Sequence, residues 1–192
     1  MGGTHDTGDV GRAVLRAAAR VVRHPNPWLV AVAADMEPGT ALDVGCGEGA
    51  DAIWLAERGW DVTGIDFSAA GLAHAAEQAE QAGVPVHWVR ADLTEWTPEE
   101  RFDLVSVQFF HAEPAVRRAV HRAAWAATGR TLLLVGHDAS HPGPPPAEVR
   151  YPVAEILAEL GPDAHVEVAE TRTRGDSVDA VVVAHRRSRS SE

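Results

Sequence analysis

The stretch Thr40-Ala41-Leu42-Asp43-Val44-Gly45-Cys46-Gly47-Glu48-Gly49 constrains this chain more than any other. A short apolar run enters an Asp, three glycines follow at alternate positions, and a helical pattern begins at Ala50. That order predicts a buried strand, a tight glycine turn and a helix N-terminus. Glycine accepts positive φ and lets a ligand approach the backbone without meeting a Cβ. The free N–H groups at the start of the helix would face that ligand. The expected occupant is a nucleoside cofactor, and the residues downstream narrow which one.

Beyond the turn, strand-like and helix-like segments alternate. Strands are expected over 41–44, 61–65, 86–90, 102–107 and 131–135. Helices are expected over 28–36, over 50–58, from a Ser68 cap to about Gly83, and from Pro114 to about Ala127. Such alternation builds a parallel sheet covered on both faces. After Asp138 the pattern changes to a proline-rich loop over 141–146 and a helix over 153–160. Two strands over 166–171 and 178–184 then flank a hairpin turn at Arg174-Gly175-Asp176. The expected fold is α/β, a Rossmann-like three-layer sandwich. Its seven-stranded sheet is mostly parallel, with an antiparallel C-terminal hairpin strand. A single domain over 1–192 is expected, with a helical cap over 1–36, a core over 40–185 and a flexible tail over 186–192. The cap includes a helix over 10–22, read either as a lid or as an amphipathic helix on the sheet edge.

Composition removes several function classes. Every basic residue apart from histidine is an arginine. Without lysine there is no Schiff base to pyridoxal phosphate and no P-loop lysine. A formal net charge of −11 argues against nucleic acid as a partner, since phosphate neutralisation needs a basic face. Arg117, Arg118 and Arg122 are the best candidate basic stripe, and are read as a solvated helix face. One cysteine forms no internal disulfide and suits a cytoplasmic setting. No apolar run is long enough to span a bilayer, so no membrane partner is expected.

Asp43 discriminates between cofactors. The dinucleotide fingerprint places its third glycine one position later than Gly49. A carboxylate directly before the turn also suits a cationic ligand better than a pyrophosphate. S-adenosylmethionine carries an ammonium and a sulfonium and no phosphate. Asp66 ends the second strand, where an acid accepts both ribose hydroxyls of either cofactor. Asp92 ends the third strand and can accept the adenine amino group, while Phe67 can lie against the adenine face.

At these residues a family resemblance emerges. Residues 42–49, followed by 55–68 (Leu-Ala-Glu-Arg-Gly-Trp-Asp-Val-Thr-Gly-Ile-Asp-Phe-Ser), resemble class I S-adenosylmethionine-dependent methyltransferases. Phe109-Phe110-His111-Ala112-Glu113-Pro114 is similar to a segment of the small tellurite-resistance-type branch. The resemblance covers roughly 25–138 and implies a methyltransferase using S-adenosylmethionine. It departs from the family at Ala50-Asp51, where relatives often carry Arg-Asn, so a helix-face cation is missing.

The candidate cofactor contacts are Asp43, Gly45, Cys46, Gly47, Gly49, Asp66, Phe67, Ser68, Asp92, Leu93 and Gln108. Cys46 is read as a small residue of the turn, not a nucleophile. Methyl transfer is an in-line displacement, so alignment and desolvation carry most of it. A base is needed only when the acceptor holds a proton. His111 is the first candidate, in part through the resemblance, and His137 and Asp138 are the second. The alternative is that these histidines bond loop backbone. His137, Asp138 and His141 show no recognised metal-ligand spacing, and no metal is expected. Gln108-Phe109-Phe110 stands where many nucleic-acid and protein amino-methyltransferases carry Asn/Asp-Pro-Pro-Tyr/Phe. That points to a small-molecule acceptor, with Trp28, Phe109, Phe110 and Tyr151 as a candidate apolar wall. The competing readings are an NAD-dependent oxidoreductase and a noncatalytic S-adenosylmethionine-binding protein.

Overall fold

The computed structural model describes residues 24–187, and within them the elements follow the expected alternation. In chain order they are α1 (Pro27–Ala33), β1 (Thr40–Val44), α2 (Ala50–Ala56), β2 (Asp61–Asp66), α3 (Ala69–Ala82), β3 (His87–Arg90), β4 (Phe102–Gln108) and α4 (Pro114–Ala127). Then come β5 (Thr128–His137), a 3-10 turn (Ala147–Val149), α5 (Val153–Ala158), β6 (Ala164–Arg174) and β7 (Ser177–Arg186). The strands make one seven-stranded sheet in the order β3-β2-β1-β4-β5-β7-β6. Strands β1 to β5 pair in parallel, and β7 inserts antiparallel between β5 and β6. This is a Rossmann-like α/β sandwich.

Two-residue alternation along the strands feeds two cores. Leu42, Val105, Val107, Leu132 and Leu134 pack against Val120, Ala124 and Trp125 of α4 and Ile156 of α5. Ala41, Leu104, Leu133 and Val135 pack against Leu29 of α1 and Leu55 of α2. The same alternation sends Asp43, Gln108, His137 and Asp179 toward the α1/α2 side, at the carboxyl ends of β1, β4 and β5 and the start of β7. Local signals set the helix ends. The Ser68 hydroxyl accepts from the Gly71 N–H at 3.1 Å, and Gly83 stops α3 with φ of 72°. Pro114 opens α4 at its first turn.

Some boundaries differ from expectation. Helix α2 ends at Ala56, and β5 begins at Thr128, directly after α4, because Thr128 pairs with Phe102 and its hydroxyl caps Ala124 O at 2.8 Å. Strand β7 runs to Arg186, whose guanidinium donates to Thr128 O at 2.7 Å and also binds Trp125 O and Asp163. The expected tail therefore cannot begin at 186. The helix expected over 10–22 and residues 188–192 lie outside the described residues. Among those described, no helix is long and apolar enough to cross a membrane.

Two side-chain expectations are corrected. Arg117 is 1% exposed, not part of a solvated stripe: it pairs with Glu155 and lies 4.2 Å over the Tyr151 ring. Arg118 and Arg122 both reach Glu159, so the arginines of α4 clamp the α5 segment. Tyr151 is fully buried by that clamp, with its hydroxyl against Gly136, where a Cβ would lie 2.0 Å away. It belongs to the core and lines no acceptor wall.

His121, one turn after Arg117, is buried beside Tyr151. Burial, then the Arg117 charge, pulls its imidazole down to about 4 from 6.5. Between those values the unfolded chain binds the extra proton, so stability rises with pH there. We expect acidification from pH 6.5 to 4 to cost about 3 kcal/mol through this residue. Denaturant unfolding of the wild type and His121→Phe across that range checks it: the pH-dependent difference between them should be of that size.

Candidate active site

Gly45, Gly47 and Gly49 adopt φ of 74°, 55° and 82°, a left-handed sequence that side chains resist. Ile65 O receives Gly45 N–H at 2.8 Å and Cys46 N–H at 3.1 Å, fastening the turn to β2. A Cβ at Gly49 would stand 2.5 Å from the Trp88 ring, whereas one at Gly47 meets nothing within 4 Å. Gly47 is thus the open side of the turn. Asp66 clasps it, one oxygen accepting Gly47 N–H at 2.9 Å and the other accepting Ser68 N–H at 2.8 Å. A carboxylate has about four acceptor positions, so each oxygen keeps capacity for a ligand hydroxyl.

Beside the turn lies a cavity of about 480 Å³, lined by Asp43, Gly45, Cys46, Asp51, Gln108, Phe109 and Arg174 among others. Asp43 is buried and accepts from Ala52 N–H. Burial foremost, then the neighbouring Asp51, holds its carboxyl well above the usual range. Burial also raises Asp51, which accepts Asn26 N–H at 2.6 Å and the Gln108 amide at 2.7 Å. Gln108 also donates to Ser106 at 3.0 Å, leaving its Oε1 buried without a partner among the described residues. Two crowded carboxyls and an unmatched acceptor make this wall suited to a cation. Burial likewise pushes the Cys46 thiol up, which keeps it from acting as a thiolate.

The adenosine-side candidates lie on an open rim. Phe67 is 69% exposed, and its carbonyl accepts from Arg90 at 3.4 Å, joining the ends of β2 and β3. Asp92 is exposed, with one oxygen in a turn with Thr94 N–H and hydroxyl at 2.9 and 2.7 Å; those bonds lower its pKa. The Leu93 side chain is buried in the core, so only its backbone is available to a ligand.

The histidines after β4 and β5 stack. The His111 and His137 rings are parallel within 4° at 5.2 Å, and His137 stacks on His141 at 4.2 Å. Burial first, then the adjoining histidine, lowers both His111 and His137. His137 Nδ1 lies 3.3 Å from the Ser177 hydroxyl and 3.5 Å from the carboxylate of fully buried Asp179. His141 accepts from Val178 N–H at 3.1 Å, and its Nε2 meets Pro144 O at 3.0 Å, so both its nitrogens serve the loop. Asp138 likewise accepts from Ser140 N–H and hydroxyl at 2.9 and 2.6 Å and from Thr171 at 3.2 Å. Burial works against its ionisation, and those bonds outweigh it, lowering its pKa.

Sequence reasoning missed Asp51, Arg174 and Asp179 as parts of this site. Asp51 could have been found, since it begins the helix after the turn. Arg174 and Asp179 flank a hairpin turn more than 120 residues beyond Asp51 and carry no local signal. Phe109 does carry one in the structure: its φ of 51° is strained for a bulky side chain, at a strand end facing the cavity.

A family model described as a methyltransferase domain matches residues 41–129, the stretch that includes the glycine turn, Asp66, Asp92 and His111. Over those residues the core is similar to class I methyltransferases. The cofactor of that class is S-adenosylmethionine, and a cation-accepting wall beside an open glycine turn fits it. The chain is 31% identical over 131 residues to thiocyanate methyltransferase 1 of Brassica oleracea, covering 64% of this chain and 58% of that protein. It is 33% identical over 125 residues to the 2-heptyl-1-hydroxyquinolin-4(1H)-one methyltransferase of Mycobacteroides abscessus, covering 61% and 54%. The chain therefore spans under three fifths of the length of these relatives. Among solved structures, magnesium protoporphyrin IX methyltransferase from Synechocystis, with bound S-adenosylhomocysteine, aligns at a TM-score of 0.69 and 19% identity, over 97% of this chain and 90% of that one. TehB from Haemophilus influenzae aligns at 0.70 and 18%, over 83% and 61%. At these identities the likeness is one of fold.

The Asp66 clasp has a measurable consequence. Asp66→Ala should weaken S-adenosylhomocysteine binding by about 3 kcal/mol, the loss of two hydrogen bonds to a charged acceptor. Titration calorimetry checks it, and unchanged affinity would remove Asp66 from the ribose role.

Proposed function

We propose that this domain transfers the methyl group of S-adenosylmethionine to a small-molecule acceptor. The observation that carries this reading is the junction, in one cavity, of the glycine turn, through Gly45 and Cys46, with the buried Asp43 and half-buried Asp51 carboxyls. When bound, the cofactor supplies an activated methyl group on a sulfonium, whose sulfur leaves as a thioether. Asp43 and Asp51 would face its ammonium, which favours their charged forms. Asp66 would take the ribose hydroxyls, with the adenine between Phe67 and the Asp92–Leu93 backbone. Ser68 holds the start of α3, so its contribution is to the frame.

The acceptor would enter at the ends of β4 and β5, beside Phe109 and the His111–His137 stack. We assign His137, oriented by Asp179, and His111 as the groups able to take a proton from an O–H or S–H acceptor. Asp138 then acts on the loop and not on the acceptor. A small acceptor is favoured by the acidic charge and by relatives named for thiocyanate and a hydroxyquinolone. Nucleic acid is disfavoured on the same electrostatic ground.

Incubation with methyl-labelled S-adenosylmethionine and pooled thiols, phenols, hydroxylated heterocycles, amines and inorganic anions tests the reading. Labelled product identified by mass is expected, and cofactor binding with no transfer to any pool would sink it. Binding of NAD in place of S-adenosylhomocysteine would favour an oxidoreductase.

The histidines make a separate prediction. A neutral imidazole is the active form, so the acid limb of turnover should fall below the ordinary imidazole value of 6.5, in keeping with the lowered pKa of both rings. His111→Ala and His137→Ala should each lower kcat by about 10²-fold or more while sparing cofactor affinity. Steady-state kinetics with calorimetry decides, and wild-type turnover would strike that residue from the mechanism.

A further inference from the structure

We propose that Arg174 binds the carboxylate of the cofactor's methionine group, bringing from the β6–β7 hairpin a positive charge that the α2 side of the cavity lacks. The inference rests on the S-adenosylmethionine reading above. The methionine end of that molecule carries a carboxylate next to its ammonium. An arrangement that welcomes the ammonium, with Asp43 and Asp51 in one wall, repels the carboxylate unless a cation stands opposite. Ala50 and Asp51, which begin the helix after the turn, offer none.

Arg174 is the one arginine among the described residues that line this cavity. Its Nε donates to Asp179 at 3.2 Å, and its guanidinium carbon sits 5.9 Å over the Phe109 ring. Asp179 is a firm anchor: it is fully buried, receives the Trp28 indole N–H at 2.9 Å and is also bonded by Ser177. The hairpin is equally defined, with Arg174 paired to Ser177 across the two-residue Gly175-Asp176 turn. These contacts fix the stem of the guanidinium through Nε alone. Its two terminal amino groups have no hydrogen-bond partner among the described residues, and the side chain is 42% exposed. A planar pair of N–H groups is the geometry that grips a carboxylate bidentately. Arg174 therefore has the charge, the free donors and a held position on the cavity that the two acids also line.

The test compares S-adenosylmethionine with its decarboxylated analogue, which keeps both cationic centres and lacks only the carboxylate. Calorimetry on the full chain should show Arg174→Gln losing about tenfold or more in affinity for S-adenosylmethionine. Its affinity for the decarboxylated analogue should stay within about twofold, which also reports an intact cavity. Arg174→Lys, with the charge but not the fork, should fall between. Equal losses for both ligands, or no loss for either, would overturn the proposal. So would an unchanged cofactor affinity with a raised KM for the acceptor, which would give Arg174 to the acceptor instead. Should Arg174→Gln not fold, the wild type must still prefer S-adenosylmethionine to the analogue and Arg174→Lys must shrink that preference; otherwise the proposal falls. A wild-type chain that binds neither S-adenosylmethionine nor S-adenosylhomocysteine would count against the cofactor reading itself.

Discussion

A carboxylate taken out of water must find donors or take up a proton, and this molecule applies that constraint at three strand ends. Asp66, the last residue of β2, is satisfied by the N–H groups of Gly47 and Ser68, and so locks the glycine turn to the start of α3. Asp179, at the start of β7, gathers Trp28 from α1, Arg174 from the hairpin and Ser177. Asp43, near the end of β1, is the least satisfied, with Ala52 N–H beside it and two acids nearby. The first two are anchors that hold four separate segments in register. The third is left wanting a positive charge.

That contrast explains why the site is where it is. The parallel strands end together, so their carboxyl-end loops converge on one edge of the sheet, as in open α/β sheets generally. Strand β7, running the other way, starts at that edge and brings the hairpin to the same place. The cavity is thus walled by acids on the β1–α2 side and by Arg174 on the hairpin side. Phe109 and the stacked histidines lie between β4 and β5, where a methyl acceptor would approach. The loop after β5 is a fixed wall. Arg150 binds the carbonyls of His141, Gly143 and Pro145, and Asp138 and His141 tie its base.

Much of this was legible from residue order. Glycines at alternate positions after an Asp state a turn with positive φ, and 45, 47 and 49 all adopt it. Pro114 and the Ser68–Gly83 pair mark helix ends because capping is local. Arg117 was misplaced because its neighbours in sequence are a helix face, whereas its burial is decided by Glu155 and Tyr151 from another segment. Tyr151 was misplaced for the same reason: its ring sits in the hollow that Gly136 leaves on β5.

The sequence by itself determined the parallel sheet, the glycine turn and the acids at the ends of β1, β2 and β3, because each is written in contiguous residues with a two- or 3.6-residue period. Only the tertiary structure decided which charges meet. Asp51 joins Asp43 through the packing of α2, and Arg174, held by Asp179, reaches the cavity through the antiparallel insertion of β7. Coulombic and hydrogen-bonding partners are set by distance in space, and across 120 residues of chain no local pattern carries that distance.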